Sequence, residues 1–263
     1  MSNSTIFLYN GLHLGDQIFT CIFFYNIKNY IEKNNINIIY YIHEQYIAQV
    51  KEFIISPNIT LASYQETGIN VWIGNTEIRN NYFDNKNQNN GKVKLDIMLK
   101  EFFNNVADLL TIPTKMMDFS YTDEDLIIRY NNLNDKYKNL DVLIINSDCF
   151  SGQINMNIPF IDNMNKTIKN LNKRYKISTT KKLDNINCTT DEGLTIKTIA
   201  AISINCKIVI AINTGPIVGL LNTYTLENVR KIFILDNVSS YEHNKFHNIH
   251  LFSDIKNFPE IFN

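Results

Sequence analysis

Short apolar runs alternate with amphipathic stretches along most of this chain. Thr5–Asn10 (Thr-Ile-Phe-Leu-Tyr-Asn) predicts a buried strand. After a loop at Gly11–Gly15, apolar positions Ile18, Cys21, Ile22, Tyr25 and Ile31 fall on or near one face of a helix running from Asp16 to about Lys33. Asn37–Ile42 predicts a second strand, Glu44–Ile54 a helix closed by Pro57, and Ile59–Ser63 and Asn70–Ile73 two short strands. Gly74–Gly91 is polar, dominated by Asn, and predicts a loop. A helix from Leu95 to about Leu110 follows, closed by Pro113. Strands alternating with helices imply a parallel sheet covered by helices.

The second half repeats this grammar. Lys115–Asp123 reads as a linker and Leu126–Tyr130 as a short strand or extended piece. Strands are then predicted at Asp141–Asn146, Tyr175–Thr179, Lys207–Ile212, Lys231–Asp236 and Ile249–Phe252. Helices are predicted at Phe160–Arg174, Leu194–Ile204 and Pro216–Leu221. No repeat of solenoid length is present. The pattern predicts an α/β fold with two Rossmann-like domains, residues 1–120 and 121–263.

Composition narrows the function classes. The 263 residues are 44% hydrophobic and 19% charged, enough to bury a sizeable core. Asn and Ile are abundant while Ala and Gly are scarce, a bias that fits an AT-rich genome rather than a chemical demand. A net charge of −1 gives no basic balance for nucleic acid and no polybasic cluster for a membrane surface. Lys181, Lys182 and the other lysines read as solvated helix faces and ends. Cys21, Cys149, Cys188 and Cys206 are too dispersed for a zinc or redox pair, which fits a reduced, cytoplasmic setting. No signal peptide or transmembrane segment is expected.

Chemistry concentrates where strands end. In Asn10-Gly11-Leu12-His13-Leu14-Gly15-Asp16-Gln17, Gly11 and Gly15 permit a tight turn with unusual dihedrals. Asp16 stands where a helix cap belongs, and it also lies at the carboxyl end of the first strand, where open α/β sheets place ligands. It is either a cap or a general base that takes a proton from a hydroxyl. His13 can bond substrate from the same loop. In the second half, Asn213-Thr214-Gly215-Pro216 ends an apolar run. Pro216 at the first helical position wastes no donor, and the helix N-terminus offers N–H groups and a favourable dipole to a diphosphate. Before the helix at Leu194, Asp191 or Glu192 can hold ribose hydroxyls, and Thr190 or Asp191 can instead simply cap that helix. Ser147, after the strand at Val142, can line the same site. His243, His247 and His250 lack the carboxylate pattern of a metal site, so no metal is expected.

The two junctions together resemble the ADP-heptose:lipopolysaccharide heptosyltransferase family. Gly11-Leu-His-Leu-Gly15-Asp16 is similar to its Gly-x-x-Gly-Asp loop, and Asn213-Thr214-Gly215-Pro216 to its Asp-Thr-Gly motif. The resemblance implies a GT-B fold, in which two Rossmann-like domains face each other across a cleft. It implies an N-terminal acceptor domain with Asp16 as base, and a C-terminal donor domain with Thr214 and Gly215 at the diphosphate. It further implies inverting, metal-independent transfer from a nucleotide-diphosphate sugar to a glycan, lipid-linked or protein acceptor, with no cofactor. The chain carries Asn213 where the family has Asp and Val218 where it has His, and no basic residue near Ser147–Gln153 matches the family's. Two alternatives stay open: a non-catalytic nucleotide- or sugar-binding protein on the same scaffold, and a sugar-nucleotide epimerase.

Overall fold

The computed structural model describes residues 4–71, 93–94, 103, 106–112, 120–148, 158–235, 241–242 and 248–252. The chain divides into two compact units, Met1–Tyr121 and Thr122–Asn263. The expected loop at Gly74–Gly91 lies outside the described residues.

Unit 1 contains strands β1 (Ser4–Tyr9), β2 (Ile36–Ile42), β3 (Ile59–Ser63) and β4 (Ile69–Asn70), with helices α1 (Leu14–Lys33) and α2 (Glu44–Lys51). The strands pair in parallel in the order β3-β2-β1-β4. Helix α1 departs from the one-faced helix that its spacing predicts. Residues from Gln17 through Phe24 are all buried, as are Ile27 and Ile31. A helix buried all round needs neighbours on more than one side. Phe24 meets Tyr40 of β2 edge to face at 5.3 Å, while Phe23 stacks on Phe103 at 4.5 Å.

Unit 2 contains α3 (Asp125–Asn131), β5 (Val142–Ile145), α4 (Ile158–Leu171), β6 (Ile177–Thr179), β7 (Asn187–Cys188) and α5 (Ile196–Ser203). It continues with β8 (Ile208–Ile212), α6 (Gly215–Gly219), α7 (Thr223–Asn228), β9 (Lys231–Leu235) and β10 (Ile249–Phe252). Its sheet is parallel throughout, in the order β10-β9-β8-β5-β6-β7. Counted from β5, this is the doubly wound order 3-2-1-4-5-6. Val142, Ile144, Ile177, Ile210, Ile212, Phe233 and Leu235 from the strands, with Met164 and Ile168 from α4, form its buried core.

Three elements correct the sequence reading. Leu126–Tyr130 is helical, not extended. Leu126 and Tyr130 are buried one turn apart, Ile127 and Ile128 are exposed, and Asp125 pairs with Arg129 at 2.6 Å. The β-branched pair Ile127-Ile128 suggests a strand only while its exposure is unknown. Helix α7 was not expected; the Asn222 side chain caps it by accepting the Thr225 N–H at 2.8 Å. The two-residue β7 is too short to give a periodic signal.

A buried ion pair ties the start of unit 2 to α5. Lys197 Nζ lies 2.6 Å from Asp123 Oδ2 and 3.4 Å from Asp125 Oδ2, with the Lys197 side chain only 4% exposed. Burial alone would raise the Asp125 carboxyl, but Arg129 and Lys197 outweigh it and hold it below the usual carboxylate range. Removing one partner of a buried pair leaves the other charge uncompensated. Lys197→Ala is therefore expected to destabilise unit 2 by about 3–5 kcal/mol, measured by urea unfolding; a loss below about 1 kcal/mol would show the pair to be energetically idle.

Candidate active site

In unit 1 the chain runs from β1 to β2 and β3 on one side, and β4 pairs with the other side of β1. The carboxyl end of β1 is thus the point where strand order reverses, where such sheets bind ligands. Asn10 to Asp16 follow that end directly. Helix α1 begins at Leu14, two residues earlier than expected, so His13 occupies the cap position and Asp16 the third helical position. Asp16 is no N-cap: its Oδ2 accepts the His13 backbone N–H at 3.1 Å, the acidic half of a capping box. Burial pushes its carboxyl up to about 6, against the lowering effects of that N–H and of the His13 ring. His13 is exposed. Gly15 lies inside the first turn of α1, not in the loop, and neither it nor Gly11 takes a positive φ. A Cβ at Gly11 would sit 2.7 Å from Tyr64 Oη, so any larger residue there would displace the Tyr64 ring end.

A buried polar network holds this loop. Gln17 Nε2 donates to the carbonyls of Asn10 at 2.8 Å and Leu12 at 3.2 Å, and Tyr40 Oη donates to Gln17 Oε1 at 2.6 Å. Burial drives the Tyr40 phenol well above its ordinary range, so it remains a donor. Asn10 Oδ1 accepts the Leu12 N–H at 3.0 Å, and His43 Nε2 faces the Gly11 carbonyl at 3.0 Å. Asn10, Gln17 and Tyr40 have no solvent exposure.

In unit 2 the reversal falls between β5 and β8, so the loops after these strands flank the corresponding position. After β5, buried Asn146 accepts the backbone N–H groups of Thr180 at 3.0 Å and Lys181 at 2.7 Å through Oδ1. Ser147 Oγ lies 2.9 Å from Thr180 Oγ1. Lys181 Nζ lies 2.6 Å from Asp148 Oδ1, so a cation reaches this rim from the strand beside β5 rather than from β5's own loop. After β8, the Asn213 N–H donates to the Leu235 carbonyl at 3.0 Å, and Thr214 Oγ1 donates to the Ile212 carbonyl at 3.2 Å. Thr214 is extended and precedes α6, which starts at Gly215, so Pro216 is the second helical residue, not the first. Five residues give α6 only a weak dipole.

Asp191 and Glu192 do not cap a helix. They form a 3-10 turn ended by Gly193 at φ 65°, and α5 starts later, capped by Thr195, whose Oγ1 accepts the Thr198 N–H at 3.3 Å. Each is ion-paired, Asp191 with Lys182 at 3.0 Å and Glu192 with Lys136. They follow β7, the edge strand, with β6 between them and β5. Within each unit the structure therefore groups Gly11, His13, Gly15 and Asp16, and brings Ser147 to the same reversal point as Asn213–Pro216. It sets Asp191 and Glu192 further out. Among the described residues no group of three His, Cys, Asp or Glu side chains could hold a metal. His243 and His247 lie outside the described residues, and His250 stacks on Phe233 at 5.2 Å. No helix among the described residues is long and apolar enough to cross a membrane.

Sequence reasoning included Gln17 in the loop motif but gave it no role, and it missed Tyr40, His43 and Tyr64 in unit 1, and Asn146, Thr180 and Lys181 in unit 2. The available signal was position: most of these follow the carboxyl end of a strand neighbouring the one already singled out.

No family model and no curated protein sequence matches this chain. Solved structures do. E. coli heptosyltransferase WaaC, solved with ADP-2-deoxy-2-fluoro heptose, is 9% identical, with 98% of this chain and 100% of that one covered at a TM-score of 0.57. A glycosyl transferase family 9 protein from Veillonella parvula DSM 2008 is 12% identical, with 98% and 88% covered at a TM-score of 0.50. The likeness is one of fold: an α/β, GT-B-like architecture built on two parallel sheets, of four and six strands.

Two stability measurements test the unit 1 site. Tyr40→Phe should cost about 1–3 kcal/mol, because Gln17 Oε1 loses its buried donor. Asp16→Asn should act in the opposite sense at neutral pH. The folded carboxyl titrates near 6 instead of 3.8, so ionised Asp16 opposes folding once the pH exceeds both values. The variant should gain on the order of 1 kcal/mol above pH 7, after allowance for partial exposure. That gain should fade below pH 4, as followed by thermal unfolding across pH.

Proposed function

We propose that this protein is a glycosyltransferase that moves a sugar from a nucleotide-diphosphate sugar to an acceptor hydroxyl, with inversion and without a metal ion. Unit 1 is the acceptor domain and unit 2 the donor domain. The observation that carries the reading is Asp16. It is a partly buried carboxylate with its pKa raised to about 6, at the strand-order reversal of a chain folded like two sugar-transferring proteins. A base poised just below neutrality is ionised at working pH and still accepts a proton readily.

In this reading an Asp16 carboxylate oxygen takes the proton of the acceptor hydroxyl. The acceptor oxygen attacks the anomeric carbon from the face opposite the diphosphate, and the bond from that carbon to the diphosphate oxygen breaks with its electron pair. The leaving charge is met by the Gly215 N–H, by the Thr214 hydroxyl, which exchanges the Ile212 carbonyl for phosphate, and by the Lys181 ammonium, which exchanges Asp148 for it. Asp191 and Glu192 hold the nucleoside hydroxyls, and His13 contacts the acceptor. A second reading, a non-catalytic nucleotide- or sugar-binding protein, draws on Asn213 and Val218, which replace the Asp and His of the resembled family.

Thermal unfolding against ADP-, GDP-, UDP- and dTDP-sugars, followed by mass spectrometry of released nucleotide, tests both. One base should stabilise the protein, by about 2.7 kcal/mol at a hundredfold excess over its dissociation constant. Slow release of that nucleotide diphosphate should accompany it. Stabilisation without release under any acceptor would favour the binding reading. The rate should climb about tenfold per pH unit below 6 and level above it, and Asp16→Ala should lose about 100-fold or more. An Asp16→Ala protein that folds and turns over at the original rate would remove Asp16 as the base.

A further inference from the structure

The loop that carries Asp16 is joined to a stack of aromatic rings from the two neighbouring strand ends. His43, after β2, stacks on Tyr64, after β3, with ring centroids 4.6 Å apart and planes at 29°. Tyr46 meets His43 edge to face at 6.2 Å, and Tyr9 meets Tyr64 likewise at 6.3 Å. The stack is pinned on both sides. His43 Nε2 bonds the Gly11 carbonyl, and the phenol end of Tyr64 occupies the space that a Cβ on Gly11 would take. Tyr64 Oη donates to the exposed Glu66 carboxylate at 2.9 Å. His43, Tyr46 and Tyr64 all keep part of their surface in solvent. In the three described loops that follow β1, β2 and β3 the charge is one-sided. Residues 10–16, 42–46 and 63–68 supply Asp16, Glu44 and Glu66, with His13 and His43, and none of them is Lys or Arg.

We propose that the His43–Tyr64 stack, with Glu66, is an acceptor subsite for a neutral pyranose, and that it disfavours phosphorylated or acidic sugars. The inference rests on the glycosyltransferase reading and names its acceptor class. The C–H face of a pyranose carries slight positive charge and packs against the negative face of an aromatic ring. A carboxylate beside the ring accepts the sugar's hydroxyl protons. An anionic acceptor would instead meet Glu66 at the stack, with Asp16 and Glu44 in the neighbouring loops and no lysine or arginine in those three segments, and like charges at close range are costly. Attachment to Gly11 makes this stack more than a surface cluster, since its rings and the Asp16 carboxylate belong to one braced loop assembly.

Saturation-transfer NMR on the whole protein without any donor tests this, with methyl β-glucopyranoside and glucose 6-phosphate as probes. The neutral glucoside should give a saturable signal, and the phosphate ester should bind about tenfold or more weakly at low salt. Tyr64→Ala should weaken the glucoside about tenfold, while Tyr64→Phe, which keeps the ring, should stay within about threefold of the parent protein. Glu66→Lys should invert the preference, a change that a purely structural role for the rim would not produce. Equal or tighter binding of the phosphate, an undiminished signal in folded Tyr64→Ala, or no binding of the glucoside would overturn the proposal. If Tyr64→Ala fails to fold, the Glu66→Lys comparison decides alone. Because no nucleotide sugar enters the experiment, failure here leaves the donor assays standing, and failure of those assays leaves this result intact.

Discussion

A parallel strand cannot hand the chain directly to its neighbour. It must cross over through a helix or loop and re-enter from the opposite end. The four-stranded and six-stranded sheets are both parallel, so each gathers its strand-to-helix turns along one rim. The reversals of strand order, at β1 in unit 1 and between β5 and β8 in unit 2, leave a place on each rim where adjacent loops diverge. Asp16 and the segment from Asn213 to Pro216 occupy those places. The chemistry assigned to this chain follows from that constraint, since the same residues in an antiparallel sheet would be divided between two edges.

The rims are firm because buried polar groups tie one loop to the next. In unit 1, Tyr40 reaches from β2 to Gln17, which holds the carbonyls of Asn10 and Leu12. In unit 2, Asn146 gathers the N–H groups of Thr180 and Lys181 and so fixes where the Lys181 side chain starts. A buried amide satisfied on several sides costs little and specifies one arrangement. Asp16 is the exception, a carboxylate kept partly out of water at a cost in stability, which fits the role of base proposed for it.

Much of the fold was legible in the sequence because fully buried strands read as uninterrupted apolar runs. β5, β6, β8 and β9 differ from expectation by only a residue or two at their ends, and Ile59–Ser63 and Ile249–Phe252, which carry exposed polar positions, still have the bounds expected. Helix α3 was misread because Ile127 and Ile128 carry strand propensity at exposed positions. The Asp16 loop and the turn at Asn213 were visible through their small residues after apolar runs. His43, Tyr64, Asn146 and Lys181 were not, for a physical reason. They matter through the strand they sit beside, and one sequence does not reveal which strands pair. The ion pairs of Asp191 and Glu192 were hidden likewise, since Lys182 and Lys136 are near them only after folding.

Helix α1 carries a consequence for how the chain is made. Eight consecutive residues, Gln17 to Phe24, end up buried, and Phe23 stacks on Phe103. That partner is synthesised about 80 residues later, on the order of ten seconds at usual elongation rates. Throughout that interval the nascent chain lacks the ring that Phe19 and Phe23 pack against. The segment that presents the proposed base thus carries an apolar face whose aromatic cover, Phe103, is made late.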